Sequence, residues 1–290
     1  MFKQLPSLYK GIVLGLSGYT AFSASDITIK WLTQHYSVPQ VISINNGIGA
    51  LVLLALASWL GGMSDLRDPR NIKIHALRAG VNLGISFLAV TSLSMFPLAD
   101  VYVLLFTVPF FAALLAIPLY GEALTRNRFI AIIIGFGGVI LAMRPGGAPF
   151  EPLMLMPLVA AVLIAVLFIS GRSLHNPSSF SLAFLPMAAA ALVYLPFMLM
   201  DYTPVQMIHT PVFALGGLFA VAGFICVSQA FRMAPAGVVA PFFYIEMVWG
   251  VIFGYLIFKD VPDTFVLAGA AVVIASGIYV LETERRNRAQ

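Results

Sequence analysis

Charge is scarce in this sequence. Only 10% of its 290 residues are Asp, Glu, Lys or Arg, whereas 60% are hydrophobic. Soluble domains carry about 25% charged residues, so a soluble fold of this length would have too little polar surface to cover its apolar bulk. The same balance excludes intrinsic disorder. Cysteine is almost absent: one residue, Cys226, cannot build a disulfide framework. The four histidines, at 35, 75, 175 and 209, are scattered. There is no His-Glu-x-x-His, no cysteine pair and no carboxylate cluster, so no metal site is expected. A Walker A sequence is also missing, so energy from ATP bound by this chain is not expected, nor is any other cofactor. Gly135-Phe-Gly-Gly138 is not a phosphate loop, because it lies inside an apolar run.

What the sequence has instead is long apolar runs. Ten of about 20 residues appear: 8–31, 38–60, 74–95, 98–119, 127–143, 152–171, 179–200, 211–232, 235–258 and 262–281. Unbroken runs exclude a β-barrel, whose strands alternate apolar and polar residues. Each run is expected to be a helix, because hydrocarbon offers no partners to open backbone groups. The first carries Asp26 and Lys30 and extends to Trp31, so it reads as a retained helix rather than a signal peptide. A net charge of +4 sits in short loops, where it orients a membrane protein rather than binding nucleic acid. Thirteen of the sixteen Lys and Arg residues fall on one side of the alternating loops; Lys30, Arg144 and Lys259 fall on the other. Both termini are therefore expected in the cytoplasm, which requires an even number of spans.

An internal repeat is visible at an offset of 138 residues. It aligns Pro97 with Pro235, Met95 with Met233, Val101 with Val239 and Glu122 with Asp260; one added loop residue brings Gly138 onto Gly277. Each copy reads as a proline-containing turn, a long apolar helix, an acidic turn and a further helix. The expected fold class is an all-α integral membrane protein of ten transmembrane helices, arranged as two five-helix repeats over 1–145 and 151–290. Five spans is an odd number, so the copies have inverted topology, the usual construction of secondary transporters.

Polar residues inside spans are the candidates for function. Glu246 is mid-span, with Phe242, Phe243, Tyr244 and Trp249 beside it. A carboxyl there either binds a cationic substrate group, or takes and releases a proton during transport, or ties two helices together. Asp26 and Lys30 share a helix face at i, i+4 and are able to pair; they are expected to form a structural ion pair or gate latch that Asp100 joins, with direct substrate contact as the alternative. Arg78 either snorkels to lipid phosphate or binds a substrate carboxylate. Asn82, Ser86 and Gln229 are candidate cavity contacts, or helix–helix glue, as are Asn45 and Asn46. Tyr19, Tyr102 and Phe106 are candidate cavity walls. Pro97 and Pro235 occupy equivalent repeat positions and are expected to be hinges. Gly11–Gly15, Gly80–Gly84 and Gly250–Gly254 have the spacing of close helix packing.

Four stretches resemble the drug/metabolite transporter superfamily, and within it the ten-helix EamA-type members. They are Ala21-Phe-Ser-Ala-Ser-Asp-Ile-Thr-Ile-Lys-Trp31; His75-Ala-Leu-Arg-Ala-Gly80; Phe96-Pro-Leu-Ala-Asp100 with Val108-Pro-Phe-Phe-Ala-Ala-Leu-Leu115 and Gly121-Glu122; and Gly135-Phe-Gly-Gly-Val-Ile-Leu-Ala-Met-Arg-Pro145. Such proteins often carry an arginine in the second helix, where this chain has Asn45 and Asn46. The resemblance implies a secondary transporter, not an enzyme. It would move a small polar metabolite, an amino acid or related compound, across a bacterial inner membrane by alternating access. The first two stretches look most similar to a bacterial subgroup with riboflavin and S-adenosylmethionine uptake members, which implies a heterocyclic metabolite as the alternative. The expected partners are a small solute, the lipid bilayer and protons.

Overall fold

The computed structural model describes residues 7–62, 66, 68–121, 126–143, 152–234 and 239–289. Among these every regular element is helical and there is no strand. The main helices are α1 (Ser7–Leu32), α2 (Val38–Ala55), α3 (Pro69–Met95), α4 (Leu98–Leu105), α5 (Val108–Tyr120), α6 (Arg126–Met143), α7 (Met156–Ser170), α8 (Ser179–Met200), α9 (Thr210–Met233), α10 (Ile245–Phe253) and α11 (Thr264–Ala289). Seven helical stretches are long and apolar enough to cross a membrane, counting α4 and α5 as one; three more apolar helices, Phe129–Met143, Phe242–Phe258 and Thr264–Tyr279, are shorter. Large apolar side chains such as Ile140, Phe168, Leu192 and Leu199 are exposed, as lipid-facing surface requires. The protein is a multi-pass membrane protein. Pro235 and Glu122 lie outside the described residues.

Local chemistry sets the helix ends. Proline occupies the first turn of α2, α3, α5, α7 and α9, where its missing N–H costs nothing. Asp68 caps α3 by accepting the Arg70 backbone N–H at 3.0 Å. The same carboxyl also takes Arg70's guanidinium, which holds it below the usual carboxylate range. Gly121 ends α5 at φ +66°, a left-handed conformation that glycine adopts freely.

The connections sort into two ends. At the first, the turn after α1 meets the segment between α8 and α9: Gln40 Nε2 donates to the Thr203 carbonyl (2.7 Å), and Tyr36 Oη lies 2.7 Å from His209 Nδ1. At the second, the segment before α3 meets the one before α8: Asn71 exchanges hydrogen bonds with the His175 backbone (2.9 and 3.0 Å), and Ser178 Oγ donates to the Gly62 carbonyl. Tyr120, closing α5, also reaches this end by donating to the Ile169 carbonyl.

The helices pack in a regular scheme. α1 lies along α9, α3 along α7, α2 along α8 and α6 along α11; α10 contacts α1 and α4, and α7 contacts α4 and α5. Small residues permit the closest approaches. A Cβ on Gly269 would sit 2.5 Å from the Gly138 carbonyl, and one on Gly18 would sit 2.6 Å from Val227. Of the paired glycines, Gly11, Gly15, Gly84 and Gly250 face a neighbouring helix closely, whereas Gly80 has open space beside it.

Two expected helices are discontinuous. The run 98–119 divides into α4 and α5 at Phe106 and Thr107. The physical reason is Pro109, which cannot donate to the turn before it. The run 235–258 becomes a 3₁₀ segment (Ala240–Tyr244), then α10, then a π segment (Gly254–Phe258). The two breaks match. Phe106 and Tyr244 close the elements before them with φ, ψ of −65°, −6° and −69°, −9°. They are also paired by the 138-residue offset, and their rings meet edge-to-face at 5.1 Å.

Candidate functional site

Three helical stripes converge beside the breaks. On α1, Tyr19, Ser23 and Asp26 recur at helical spacing; on α4, Tyr102 and Phe106 do; on α10, Glu246, Trp249 and Gly250 share a face. Tyr102 Oη donates to Asp26 Oδ2 at 3.0 Å, joining α4 to α1. Trp249 Nε1 donates to Thr20 Oγ1 at 3.0 Å, joining α10 to α1. Gly250 leaves room for the Tyr102 ring: a Cβ there would stand 2.6 Å from it. Phe106 lies 5.1 Å from both Phe243 and Tyr244, and Tyr19 lies 5.5 Å from Phe243.

Glu246 is only 5% exposed. Its carboxyl has no hydrogen-bond or ion-pair partner among the described residues. It interacts electrostatically with Asp26, and Tyr19 and Tyr102 lie within the reach of its charge. The interior thus holds two carboxyls and a wall of aromatic rings. Tyr19, Tyr102, Phe106, Tyr244, Glu246 and Trp249, singled out from the sequence, are brought together here. Asp26 joins them, as does Phe243, named in sequence only as a neighbour of Glu246; Thr20 is an addition that sequence reasoning missed. Thr20 carries no local signal; Phe243 is one of several rings in an aromatic run.

Asp26 and Lys30 do not pair. Lys30 is buried, and its Nζ bonds Asp260 Oδ2 at 2.9 Å and the Phe96 carbonyl at 2.8 Å, with the Phe258 ring 4.9 Å away. The amino group turns towards the first end, while Asp26 turns inward to Tyr102. Asp100, in the first turn of α4, lies within the electrostatic reach of Lys30, Asp260 and Asp263. Lys30 therefore fastens α1 and the α3–α4 turn to the loop after α10.

Arg78 is buried (6% exposed) rather than at the lipid surface. Its guanidinium donates to the carbonyls of Leu167 and Leu182, and Ser170 Oγ is 3.5 Å away. Leu182 needs this donor, because the helical N–H that would serve it belongs to residue 186, a proline. Leu167 lies in the last turn of α7, where carbonyls lack helical partners; its carbonyl also accepts from Ser170 Oγ at 3.0 Å. Arg78 is thus a staple among α3, α7 and α8. Asn82 does similar work, donating to the Pro186 carbonyl at 3.0 Å. Ser86 and Gln229 are half-buried on α3 and α9, and no hydrogen bond or ring contact joins them to the central cluster. Asn45 is buried with neither amide atom hydrogen-bonded, against Gly216; Asn46 donates to the Ile42 carbonyl. Pro97 stands before α4 with φ −56°; Pro235, its expected counterpart, is among the undescribed residues.

The model of the EamA-like transporter family matches residues 9–144 and again 152–282. The chain belongs to this family. EamA-like relatives include an S-adenosylmethionine uptake transporter of Rickettsia bellii, 28% identical over 95% of this chain and 94% of its own length. A pseudopaline exporter of Pseudomonas aeruginosa is 22% identical over 97% of this chain and 99% of its own. A riboflavin transporter of Brucella anthropi is 25% identical over 91% and 96%. A solved crystal structure shares the fold, with TM-score 0.64 and 18% identity over 95% of this chain and 98% of that one. These named relatives are bacterial transporters and an exporter, in line with the EamA-type resemblance.

Proposed function

We propose that the chain is a secondary transporter of ten transmembrane helices, built as two inverted five-helix repeats over 1–145 and 151–290. It moves a small polar metabolite, an amino acid or related compound, across the bacterial inner membrane by alternating access. Both termini face the cytoplasm.

The observation that carries this reading is the pair of matched helix breaks. Secondary transporters place substrate at mid-membrane, between repeats, where discontinuous helices free backbone groups. Here Phe106 and Tyr244 occupy corresponding positions at the two breaks and touch each other. Contact between equivalent residues is what a twofold axis between the halves produces. The packing scheme supports it. Count α4 and α5 as the fourth span, and 240–258 as the ninth. Exchanging each span for the one five further along then converts α1–α9 into α3–α7, and the α1 contact with α10 into the α7 contact with α4 and α5. The family model matching twice supports the same division.

A second reading, uptake of a heterocyclic metabolite such as riboflavin or S-adenosylmethionine, is favoured by the names of two relatives and by the aromatic wall. Purified protein in proteoliposomes tests both readings with radiolabelled amino acids, riboflavin and S-adenosylmethionine. Saturable uptake with counterflow is expected for a solute of one of these classes. Non-saturable flux without counterflow would describe a channel and contradict the proposal.

A further inference from the structure

Among the described residues, the central cluster contains two acids, Asp26 and Glu246, and no base. Among the described residues, neither Asp26 nor Glu246 forms an ion pair with a basic side chain. Lys30, one turn from Asp26 on the same helix, is committed to Asp260 and the Phe96 carbonyl. The hydroxyls flanking Asp26 are spent on backbone: Ser25 donates to the Gly216 carbonyl and Thr28 to the Ser25 carbonyl. Asp26 therefore has the Tyr102 hydroxyl alone, out of about four acceptor positions on a carboxylate. Glu246, 95% removed from solvent, has none.

A carboxyl that only ties helices together would be hydrogen-bonded to the helix it holds. These two instead flank the Tyr102 ring, which bonds Asp26 and packs on Gly250 one turn after Glu246, beside the rings of Tyr19, Phe106, Phe243 and Tyr244. Like charges in a poorly polarisable interior repel, and a cation between them relieves both at once. Ring faces carry the negative end of the aromatic quadrupole and attract cations as well.

We propose that Asp26 and Glu246 together form a two-carboxylate seat for an organic cation, so that the solute carried has a positive charge on or beside a flat apolar body. This rests on reading the central interior as the substrate site. It gives Asp26 a substrate contact in place of a gate pair, and it narrows the solute from any small polar metabolite to a cation.

The test uses two probes of nearly equal shape: 1-methylnicotinamide, a planar cation, and nicotinamide, its uncharged counterpart. Thermal melting of the purified protein is followed against each. The cation should raise the melting midpoint at concentrations where nicotinamide does not. Asp26→Asn and Glu246→Gln should each weaken the cation response by about thirtyfold or more. Equal responses to the two probes, no response to the cation, or a cation response unaltered in both variants would overturn the proposal. The wild-type comparison decides the matter even if a variant fails to fold. Proteoliposome uptake separates this failure from that of the wider reading. Saturable uptake of uncharged solutes without any response to cations leaves the transporter standing and removes the seat. No saturable uptake at all removes the transporter.

Discussion

Glu246 and Arg78 are both buried ionisable residues, and their surroundings assign them opposite roles. Arg78 is surrounded by acceptors: the Leu182 carbonyl, orphaned by Pro186, and the Leu167 carbonyl at the end of α7, which Ser170 Oγ also serves. Arg78→Leu should therefore destabilise the protein by about 1–3 kcal/mol, the cost of leaving the buried Leu182 carbonyl unsatisfied. The readout is thermal or denaturant unfolding in detergent; wild-type stability would remove the staple. Glu246 has no such acceptors or donors, so Glu246→Gln should insert and melt as the wild type does while uptake falls to background. Wild-type uptake with unchanged dependence on a pH gradient would take Glu246 out of the transport cycle. The depth of Glu246 and its aromatic neighbours are legible in sequence, because a carboxyl in the middle of an apolar run has few other uses. The partner of Lys30 is not. Spacing of i, i+4 shows only that Asp26 and Lys30 are able to meet, whereas the side chain reaches Asp260, 230 residues away. Local spacing cannot encode that choice; the repeat alignment flagged Asp260 only as an acidic turn.

At the scale of elements, the long helices follow from composition, and the breaks follow from proline. Pro109 is visible in the sequence, and a helix disturbed by proline yields about one turn before it. That places a break near residues 105–107, where α4 ends and α5 begins. The 3₁₀ and π segments of 240–258 are less legible, because no local residue pattern marks where α geometry gives way. Among the described glycines, the closest approach to a neighbouring backbone is between α6 and α11, where Gly138 and Gly269 leave no space for a side chain. Gly269→Leu should push these helices apart and cost about 1–3 kcal/mol or more, as overpacking does. Unfolding of the purified variant measures it. A stability equal to that of the wild type would mean that the α6–α11 contact is not close in the folded protein. Gly80, with open space beside it, is the internal control: Gly80→Leu should be tolerated.

For the whole molecule, the proposed ten-span topology places the two ends on opposite sides of the membrane. In a Cys226→Ala background, single cysteines at the exposed positions Met207 (first end) and His175 (second end) should label from the periplasm and the cytoplasm respectively. Labelling of both from one side would contradict ten spans. Lys30 joins α1 and the α3–α4 turn to the loop after α10 at the first end; in the proposed alternating-access cycle it holds one of two exchangeable shapes. Differential stabilisation of about 1–3 kcal/mol shifts such an equilibrium 5–150-fold. Removing the latch with Lys30→Ala should therefore repopulate the alternative shape. Spin labels at Gln34 and Val261 report on the first end, and labels at Ile72 and Phe231 on the second; all four positions are exposed. Pulsed electron–electron resonance in lipid nanodiscs, comparing wild type with Lys30→Ala, tests alternating access directly. The account predicts that the Gln34–Val261 distance lengthens while the Ile72–Phe231 distance shortens. Lengthening at both ends, a change at the first end alone, or no change at either would contradict it.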